Sequence, residues 1–423
     1  MSTQTQSIWQ APEETVPYAS IEWVKNKMLK RFGEGTSTAL FNTTEIAKAR
    51  AFHRTFPDYL PTPLHNLKSL AKALGVGGVY VKDESQRFGL NAFKALGGSY
   101  AVAKHLARRL NRDLGELPFP VLTSPEIKEQ LGEITFATTT DGNHGRGLAW
   151  TARQLKQKAV VYMPKGSSLY RLEKIRAEGA EAWITDLNYD DAVRMTAAKA
   201  EENGWAFVQD TSWEGYEEIP TWIMQGYGTM AAEVAEQLPE LGVDKPTHVF
   251  VQAGVGAFAG AVQGYFASLY GKTRPQTIVA EANKAACLYR SAVAADGKPR
   301  VVSGDLDTIM AGLACGEPNL IGWRILRDYS DMFISCPDEI AAKGMRILGN
   351  PLGRDSKVIS GESGAVTTGL LWALAHDERL SEARAALGLH ENSHILLFNT
   401  EGDTDPVKYR KIVWDGEISS AAR

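Results

Sequence analysis

The amino-acid sequence predicts an α/β protein with two open, mostly parallel sheets flanked by helices. Short β-branched runs alternate with stretches of helical periodicity, and this alternation occurs in two separate series along the chain. Repeated strand–helix–strand units place strands parallel and helices on both sheet faces. With 423 residues and 44% hydrophobic content, the chain is long enough for two such domains.

The first series predicts a strand at 78–82 and a helix from the Lys94 region to Leu110. A proline-containing excursion at 111–132 follows, and then strands and helices alternate. The predicted strands of this part are 134–137, 159–163, 182–185 and 206–209, and the predicted helices are 148–157, 169–178 and 190–202.

The second series predicts two parallel strands joined by a helix, 247–252, 257–270 and 277–280. A helix at 227–237 precedes them. Further helices near 340–348 and 365–375 and a strand at 394–398 complete the series.

Composition and charge argue against several classes of protein. The formal net charge of −4 gives no reason to expect nucleic acid or membrane partners, and no apolar run reaches membrane-spanning length. Residues 1–16 lack the basic start and apolar core of a signal peptide. The three cysteines show no C-x-x-C spacing, and the eight histidines show no metal-binding spacing. The sequence therefore predicts a cytoplasmic protein without a metal site.

Lys94 lies on the apolar patch AFKAL at 92–96, where a helix begins after a strand and a polar turn. Burial among Phe, Ala and Leu should lower the pKa of this lysine and make its free amine a nucleophile toward a carbonyl. Taken alone, a solvated lysine at a helix start is the more common case.

Two turns carry further chemistry. The segment TTTDGNHGRG at 138–147 joins a strand to a helix and offers backbone N–H groups to an anion such as a carboxylate. Gly254, Gly256 and Gly260 follow the strand at 247–252, and their backbone can approach a phosphate closely. A tight turn without a ligand is an equally open interpretation of these glycines.

The order of a strand–lysine–helix unit, a DGNHG turn and a glycine-rich turn resembles the pyridoxal-phosphate enzymes of fold type II. This family includes serine and threonine dehydratases, threonine synthase and the tryptophan synthase β subunit. The segments RFGLNAFKALGG, TTDGNHGRGLAW, VQDTSWEGYEEIPTWIMQGY, IMAGLACGEPN and NTEGDTDP look like those of the diaminopropionate ammonia-lyases within it. The resemblance runs from about Phe41 to the C-terminus. It implies elimination of ammonia from 2,3-diaminopropionate, a small amino-acid substrate, by a homodimer.

The resemblance also implies site residues. Pyridoxal 5′-phosphate would attach to Lys94, and Asn143 would contact the 3′ oxygen of its ring. The cofactor phosphate would be bound by Gly254, Val255, Gly256 and Ala257. The substrate would be received by Thr138, Thr140, Asp141, Gly142 and Glu362. Either Asn399 or Thr400 would face the pyridine nitrogen. A small domain would span 94–210, and a large one 1–93 and 211–423, with the cofactor between them.

Asp141, Asp210 and Lys94 are the candidates for removing the Cα proton. Asp141 stands where related dehydratases carry a small neutral residue, and its charge should repel a substrate carboxylate unless a cation compensates. A second substrate amino group would be such a cation. Asp210 follows a predicted strand, at the edge where α/β sites gather. Two carboxylates on different sides of Cα would allow both enantiomers to react. A structural role at the helix N-terminus, or as a turn cap, is the alternative for each aspartate.

Two other functions remain open. A serine/threonine dehydratase-like activity shares all of these features except Asp141. A dinucleotide-binding oxidoreductase would use the Gly254–Gly256–Gly260 turn together with Glu281 at the end of the next strand, although the glycine spacing is one residue too long. His144 is interpreted as a turn-packing residue. The sequence does not decide which enantiomer is preferred or which aspartate serves it.

Overall fold

The computed structural model describes residues 20–419, so the expectation about a signal peptide at 1–16 lies outside the described residues. The strands are β1 Glu22–Lys25, β2 Leu64–Asn66, β3 Gly78–Asp83, β4 Thr135–Thr139, β5 Lys158–Met163, β6 Glu181–Ile184, β7 Ala206–Phe207, β8 His248–Gln252, β9 Gln276–Ala282, β10 Met332–Cys336 and β11 His394–Asn399.

Helices separate most of these strands. They are α1 Thr43–His53, α2 Lys68–Leu74, α3 Ala95–Arg109, α4 Phe119–Leu122, α5 Pro125–Leu131, α6 Asn143–Gln154, α7 Leu169–Ala177, α8 Tyr189–Asn203, α9 Glu218–Glu240, α10 Ala257–Tyr270, α11 Cys287–Ala294, α12 Leu320–Tyr329, α13 Asp338–Gly349, α14 Glu362–His376, α15 Ser381–Leu387 and α16 Pro406–Val413.

The larger sheet has seven strands in the order β1-β10-β9-β8-β11-β3-β2. The five inner strands are parallel, and the edge strands β1 and β2 pair antiparallel. Alternate residues of the inner strands enter two different hydrophobic cores. In β8, Val249 and Val251 pack with α9 and α10, whereas Phe250 packs with α13 and α14. The sheet is therefore covered by helices on both faces, as a parallel sheet requires.

The smaller sheet has four parallel strands in the order β6-β5-β4-β7. Its strands come from residues 135–207, whereas those of the larger sheet come from 22–83 and 248–399. The fold class predicted from the sequence, with two mostly parallel sheets flanked by helices, is confirmed. The domain boundaries after residues 93 and 210 stay a prediction.

Several element boundaries differ from the sequence prediction. Helix α6 begins at Asn143, five residues before the predicted start. Gly142 precedes its first turn, so the polar capping side chain that usually marks a helix start in the sequence is absent. Helix α9 spans 23 residues, since its apolar positions continue on both sides of the predicted 227–237. The predicted excursion at 111–132 contains the short helices α4 and α5. No helix within residues 20–419 is long and apolar enough to cross a membrane.

Candidate active site

A cleft with about 670 Å³ of empty space lies where loops from both sheets meet. Four of these loops leave the carboxyl ends of strands β4, β7, β8 and β11, which is where open α/β sheets bind ligands. Its walls are formed by Phe93, Lys94, Thr140, Asp141, Asn143, His144, Tyr189, Asp210, Gln252, Ala253, Gly254, Val255, Gly256, Ala257, Phe258, Gly312, Leu313, Cys315, Ser363, Thr400 and Glu401.

Lys94 stands immediately before α3 and forms an ion pair with Asp210, its Nζ donating to Oδ2. The backbone beside it is held in place, because the Phe93 amide donates to the Thr400 carbonyl over 3.2 Å. Lys94 Nζ also lies 5.4 Å from the ring centre of Phe93 and 5.6 Å from that of Tyr227.

The pKa of Lys94 differs in direction from the sequence prediction. Burial does favour the neutral amine, but the Asp210 carboxylate and other negative neighbours outweigh it, so the pKa is raised above its usual value. The lowered pKa predicted from the apolar patch was wrong. The cause is a partner 116 residues away in the sequence.

Asp210 is buried in the loop after β7 and is bound from several sides. Its Oδ2 accepts from Lys94 and, over 3.4 Å, from the Tyr227 hydroxyl, while its backbone carbonyl accepts from Asn319 Nδ2 over 2.7 Å. Burial alone would raise the pKa of this carboxyl, but the Lys94 ammonium outweighs burial and the pKa is lowered to about 2. Asp210 is therefore ionised at neutral pH.

Some residues at the end of β4 and in the turn after it line the cleft, and others lie below the lining. Thr140 and Asp141 line the cleft. Thr138 lies below, where its Oγ1 donates to Gln209 Oε1 over 2.7 Å. The Gly142 amide donates to Thr140 Oγ1 over 2.9 Å, and its φ of 153° is one that residues with a side chain rarely adopt. Thr138 and Gly142 thus shape the turn from outside the lining.

Asp141 is paired with a cation that the sequence did not reveal. Arg171 of α7 places Nη1 3.6 Å from Asp141 Oδ2. The Asp141 side chain remains 23% exposed, but Oδ2 is shielded from solvent and has no hydrogen-bond partner among the described residues. Burial raises the pKa of Asp141, and Arg171 and Lys94 oppose the rise. Arg171 is therefore a compensating cation within the protein, whereas the sequence analysis named only a second substrate amino group for this role.

The glycine turn after β8 lines the cleft through Gly254, Val255, Gly256 and Ala257. Gly256 has a φ of 93° and precedes the first turn of α10. The first N–H groups of a helix have no acceptor within it, so this turn presents free donors and the positive end of α10. An anion such as a phosphate would be stabilised here.

The loop after β11 supplies Thr400 and Glu401 to the cleft, whereas Asn399 lies outside the lining. Asn399 Nδ2 donates to Asp83 Oδ1 over 2.8 Å and to the Ile359 carbonyl over 3.0 Å. Thr400 Oγ1 accepts from Gln252 Nε2 over 2.9 Å. Of the two residues left open by the sequence, Thr400 is the one that faces the cleft.

Asn143 and Glu401 connect the two sheets across the cleft. Asn143 Nδ2 donates to Glu401 Oε2 over 2.5 Å, and Glu401 Oε1 accepts from the Ser363 amide over 3.1 Å. Glu362 lies outside the lining, where its Oε1 is 3.4 Å from Lys408 Nζ, and its neighbour Ser363 reaches the cleft instead. The sequence predicted that Glu362 would contact the substrate, but its side chain does not line the cleft. Helix α14 begins at this residue, and the side chain lies beside Lys408 instead.

His144 has the turn-packing role expected of it, and it also borders the cleft. Its Nε2–H donates to the Val208 carbonyl over 3.0 Å, while Nδ1 has no partner among residues 20–419. Burial lowers the pKa of the ring, which is therefore neutral.

Glu281 does not have the position that a dinucleotide-binding protein would require. The residue is fully buried in β9, and its two carboxylate oxygens accept from the amides of Leu288 and Tyr289 over 2.9 and 2.6 Å. Burial raises its pKa to about 8. Glu281 thus binds the start of α11 and is shielded from any ribose.

Several cleft residues were not predicted from the sequence. Glu401 lies next to Thr400 within the quoted segment NTEGDTDP, so a carboxylate beside a predicted site residue was a usable signal. Cys315 likewise lies within the segment IMAGLACGEPN, whereas Tyr189, Gln252 and Ser363 lie in none of the segments singled out above. Within the described part of the chain, no cluster of His, Cys, Asp and Glu could hold a metal ion.

Comparison with known proteins adds independent findings. The profile of the family described as "Pyridoxal-phosphate dependent enzyme" matches residues 55–390. A diaminopropionate ammonia-lyase of Salmonella typhimurium is 54% identical over 397 residues, which cover 94% of this chain and 98% of that protein.

Solved structures of the diaminopropionate ammonia-lyase of Escherichia coli share this fold. One, in complex with an aminoacrylate–pyridoxal phosphate azomethine reaction intermediate, is 49% identical with a TM-score of 0.87. Another, in complex with D-serine, is 49% identical with a TM-score of 0.88. Each alignment covers 95% of this chain and 99% of the other.

Proposed function

The chain belongs to the family of pyridoxal-phosphate-dependent enzymes, and we propose that it is a diaminopropionate ammonia-lyase. It converts 2,3-diaminopropionate and water into pyruvate and two molecules of ammonia. The observation that carries this proposal is one cleft in which a lysine, two aspartates and a glycine turn at a helix N-terminus meet.

The residues of the cleft fit pyridoxal 5′-phosphate. Lys94 offers an amine, the turn of Gly254, Val255, Gly256 and Ala257 offers N–H donors for the phosphate, and Thr400 offers a hydroxyl for the ring. Three polar atoms of the cleft walls, Asp141 Oδ2, His144 Nδ1 and Gln252 Oε1, lack hydrogen-bond partners within residues 20–419. Unsatisfied buried polar atoms are costly, and a polar ligand would satisfy them.

The cofactor supplies an aldehyde for covalent attachment and an electron sink for the negative charge formed at the substrate Cα. Lys94 would hold it through Nζ, and Asn143 would contact its ring oxygen. Thr140 and the backbone of the turn after β4 receive the substrate carboxylate. These assignments rest on the position of each side chain in the cleft and on the family resemblance.

Proton removal from Cα is assigned to the two aspartates. Asp210 is ionised and lies on the Lys94 side of the cleft, whereas Asp141 enters from the turn after β4 and has a free Oδ2. Because the two carboxylates belong to different loops, each would take the proton from one enantiomer of the substrate. We therefore propose activity on both the D and L forms.

Departure of the β-amine as ammonia follows proton loss, and hydrolysis then releases pyruvate and the second ammonia. A serine/threonine dehydratase would expel water instead. Two carboxylates, Asp141 and Glu401, line the cleft beside a single guanidinium, that of Arg171, so the excess negative charge still favours a substrate with a second ammonium group over one with a hydroxyl. The cytoplasm and a homodimer remain our proposals for location and assembly. Sedimentation of the purified protein tests the dimer.

The experiment that tests the function follows pyruvate and ammonia from the purified, cofactor-loaded protein. We expect two ammonia per pyruvate from D- or L-diaminopropionate, and a kcat/KM at least tenfold above that for D- or L-serine. Comparable efficiency on serine, with one ammonia per pyruvate, would instead identify a dehydratase. A visible absorption band that borohydride abolishes verifies that the cofactor is attached.

A further inference from the structure

Arg171 is a buried cation beside Asp141 that the proposed reaction does not use. It lies in α7 with 7% of its surface exposed, and its Nη1 is 3.6 Å from Asp141 Oδ2. Nη2 donates to Thr404 Oγ1 over 3.1 Å. A Cβ at Gly142 would lie 2.8 Å from Arg171 Cδ, so the glycine leaves the space in which this side chain lies.

The separation of the two charged groups has a chemical consequence. At 3.6 Å the guanidinium is too far from Oδ2 for a good hydrogen bond, yet near enough for strong Coulomb attraction in a poorly solvated site. Oδ2 is buried and has no hydrogen-bond partner among the described residues. The cation therefore favours the ionised carboxylate while leaving its lone pairs free to take a proton.

We propose that Arg171 is a positioning residue that keeps the Asp141 carboxylate ionised, and so available as a base, without hydrogen bonding to it. This inference rests on the proposed function, in which Asp141 takes a proton from the substrate. It adds a residue that lies outside the cleft lining and acts on the cleft through Asp141.

Charged and titratable groups surround Asp141 from several elements. Lys94 before α3 and Arg171 in α7 favour its ionised form, and Glu401 after β11 opposes it. Tyr189 of α8 and Cys315 also interact with the Asp141 charge, but burial raises the pKa of both groups and keeps them neutral. Burial of Asp141 itself favours protonation. Removal of Arg171 leaves burial and Glu401, which raise the pKa of Asp141, opposed only by Lys94 and a backbone hydrogen bond.

The test compares the pH dependence of kcat/KM for diaminopropionate in the holoenzyme and in Arg171→Gln. We expect the apparent pKa of the acid limb to rise by about one unit or more, so that activity is lost at low pH and returns at high pH. Arg171→Lys retains a charge and should give a smaller rise. Arg176→Gln, on the same helix but paired with Glu173, is the matched control and should leave the acid limb unchanged.

A second measurement reads the Asp141 carboxyl directly, independently of catalysis. In holoenzyme labelled with ¹³Cγ-aspartate, the resonance absent from Asp141→Asn reports the pKa of Asp141. We expect Arg171→Gln to raise this pKa by about one unit or more. If Arg171→Gln does not fold, Gly142→Ala, which keeps both charges and displaces the guanidinium, should raise it as well.

The outcomes separate this inference from the proposed function. An unchanged Asp141 pKa in the folded Arg171 variant, or an activity loss of equal size at every pH, overturns the role of Arg171. A raised Asp141 pKa together with full activity of Asp141→Asn on both enantiomers supports the Arg171 effect and overturns Asp141 as a base.

Discussion

Lys94 and Asp210 form an ion pair that joins the start of α3 to the loop after β7. The pair joins the smaller sheet to the lysine-bearing turn at 92–94. Backbone hydrogen bonds also connect this turn to the loop after β11. In this arrangement the amine and the carboxylate stabilise each other's charged forms, with the pKa of Lys94 raised and that of Asp210 lowered to about 2. Each residue is therefore held in a defined protonation state before a ligand enters.

Replacement of Lys94 by alanine should abolish elimination and leave the cofactor only loosely held, because covalent attachment requires the amine. We expect the rate of pyruvate formation to fall by roughly a thousandfold or more. Lys104→Ala, half-buried on the same helix and outside the cleft lining, is the control and should retain near-normal turnover. Near-normal turnover of Lys94→Ala itself would contradict the assignment.

The two aspartates should differ in their effect on enantiomers. Asp141→Asn keeps the volume and removes the charge, and we expect it to reduce kcat for at least one enantiomer of diaminopropionate by about a hundredfold. Asp210→Asn should change the ratio of D to L activity in the direction opposite to the change caused by Asp141→Asn. Equal losses on both enantiomers in both variants would show that one shared step, rather than two faces, depends on these carboxylates.

Substitutions of the neighbours Asn399 and Thr400 should have different effects, one mainly on protein stability and the other mainly on cofactor affinity. Thr400→Val keeps the volume and removes a cleft hydroxyl, so cofactor affinity should fall about tenfold. Gln252 Nε2 loses one acceptor but keeps the Phe398 carbonyl, so the free energy of unfolding should fall by about 1 kcal/mol or less. Asn399→Ala removes two buried hydrogen bonds to Asp83 and Ile359, so it should lower the free energy of unfolding by about 1–3 kcal/mol. Equilibrium cofactor titration and urea unfolding distinguish the two. The reverse pattern would place Asn399 rather than Thr400 at the cofactor.

The sequence predicted much of the interior of the fold because buried parallel strands and long helices carry strong periodicity, but it missed the inner strand β10. Strands β3, β8 and β11 and helix α10 were predicted within two residues of their ends. The edge strands β1 and β2 were missed, since three or four half-exposed residues show no distinct pattern. Helices α11 and α12 were also missed, and both are short, with eight and ten residues.

The candidate site shows a similar division. Lys94, Asp141 and the glycine turn lie in motifs that are contiguous in sequence, so their chemistry could be inferred locally. The pKa of Lys94 and the charge balance at Asp141 could not be inferred in this way. The first depends on Asp210 and the second on Arg171, and tertiary packing alone brings these partners close. Electrostatic effects depend on these distances, and the sequence does not contain them.

His53 lies next to the start of α3 and makes a pH-dependent contribution to the stability of the fold. It is fully buried, its Nε2–H donates to the Leu96 carbonyl over 2.9 Å, and its Nδ1 accepts from the Thr229 hydroxyl over 2.9 Å. Burial, with a smaller effect of Arg87, lowers its pKa to about 3. In the unfolded chain the pKa is about 6.5. The unfolded state therefore binds a proton first as the pH falls, so the stabilisation is present above about pH 6.5 and is lost progressively toward about pH 3.

His53→Gln should remove this pH dependence, because glutamine offers a donor and an acceptor without titrating. From pH 7 to pH 5, we expect the free energy of unfolding of the wild type to fall by about 2 kcal/mol more than that of the variant. Urea unfolding of both holoproteins at several pH values measures this difference. His105, His144 and His248 also have lowered pKa values, so the variant retains their share of the acid sensitivity. A difference between the two proteins that stays constant with pH would mean that His53 is not the buried neutral base the structure describes.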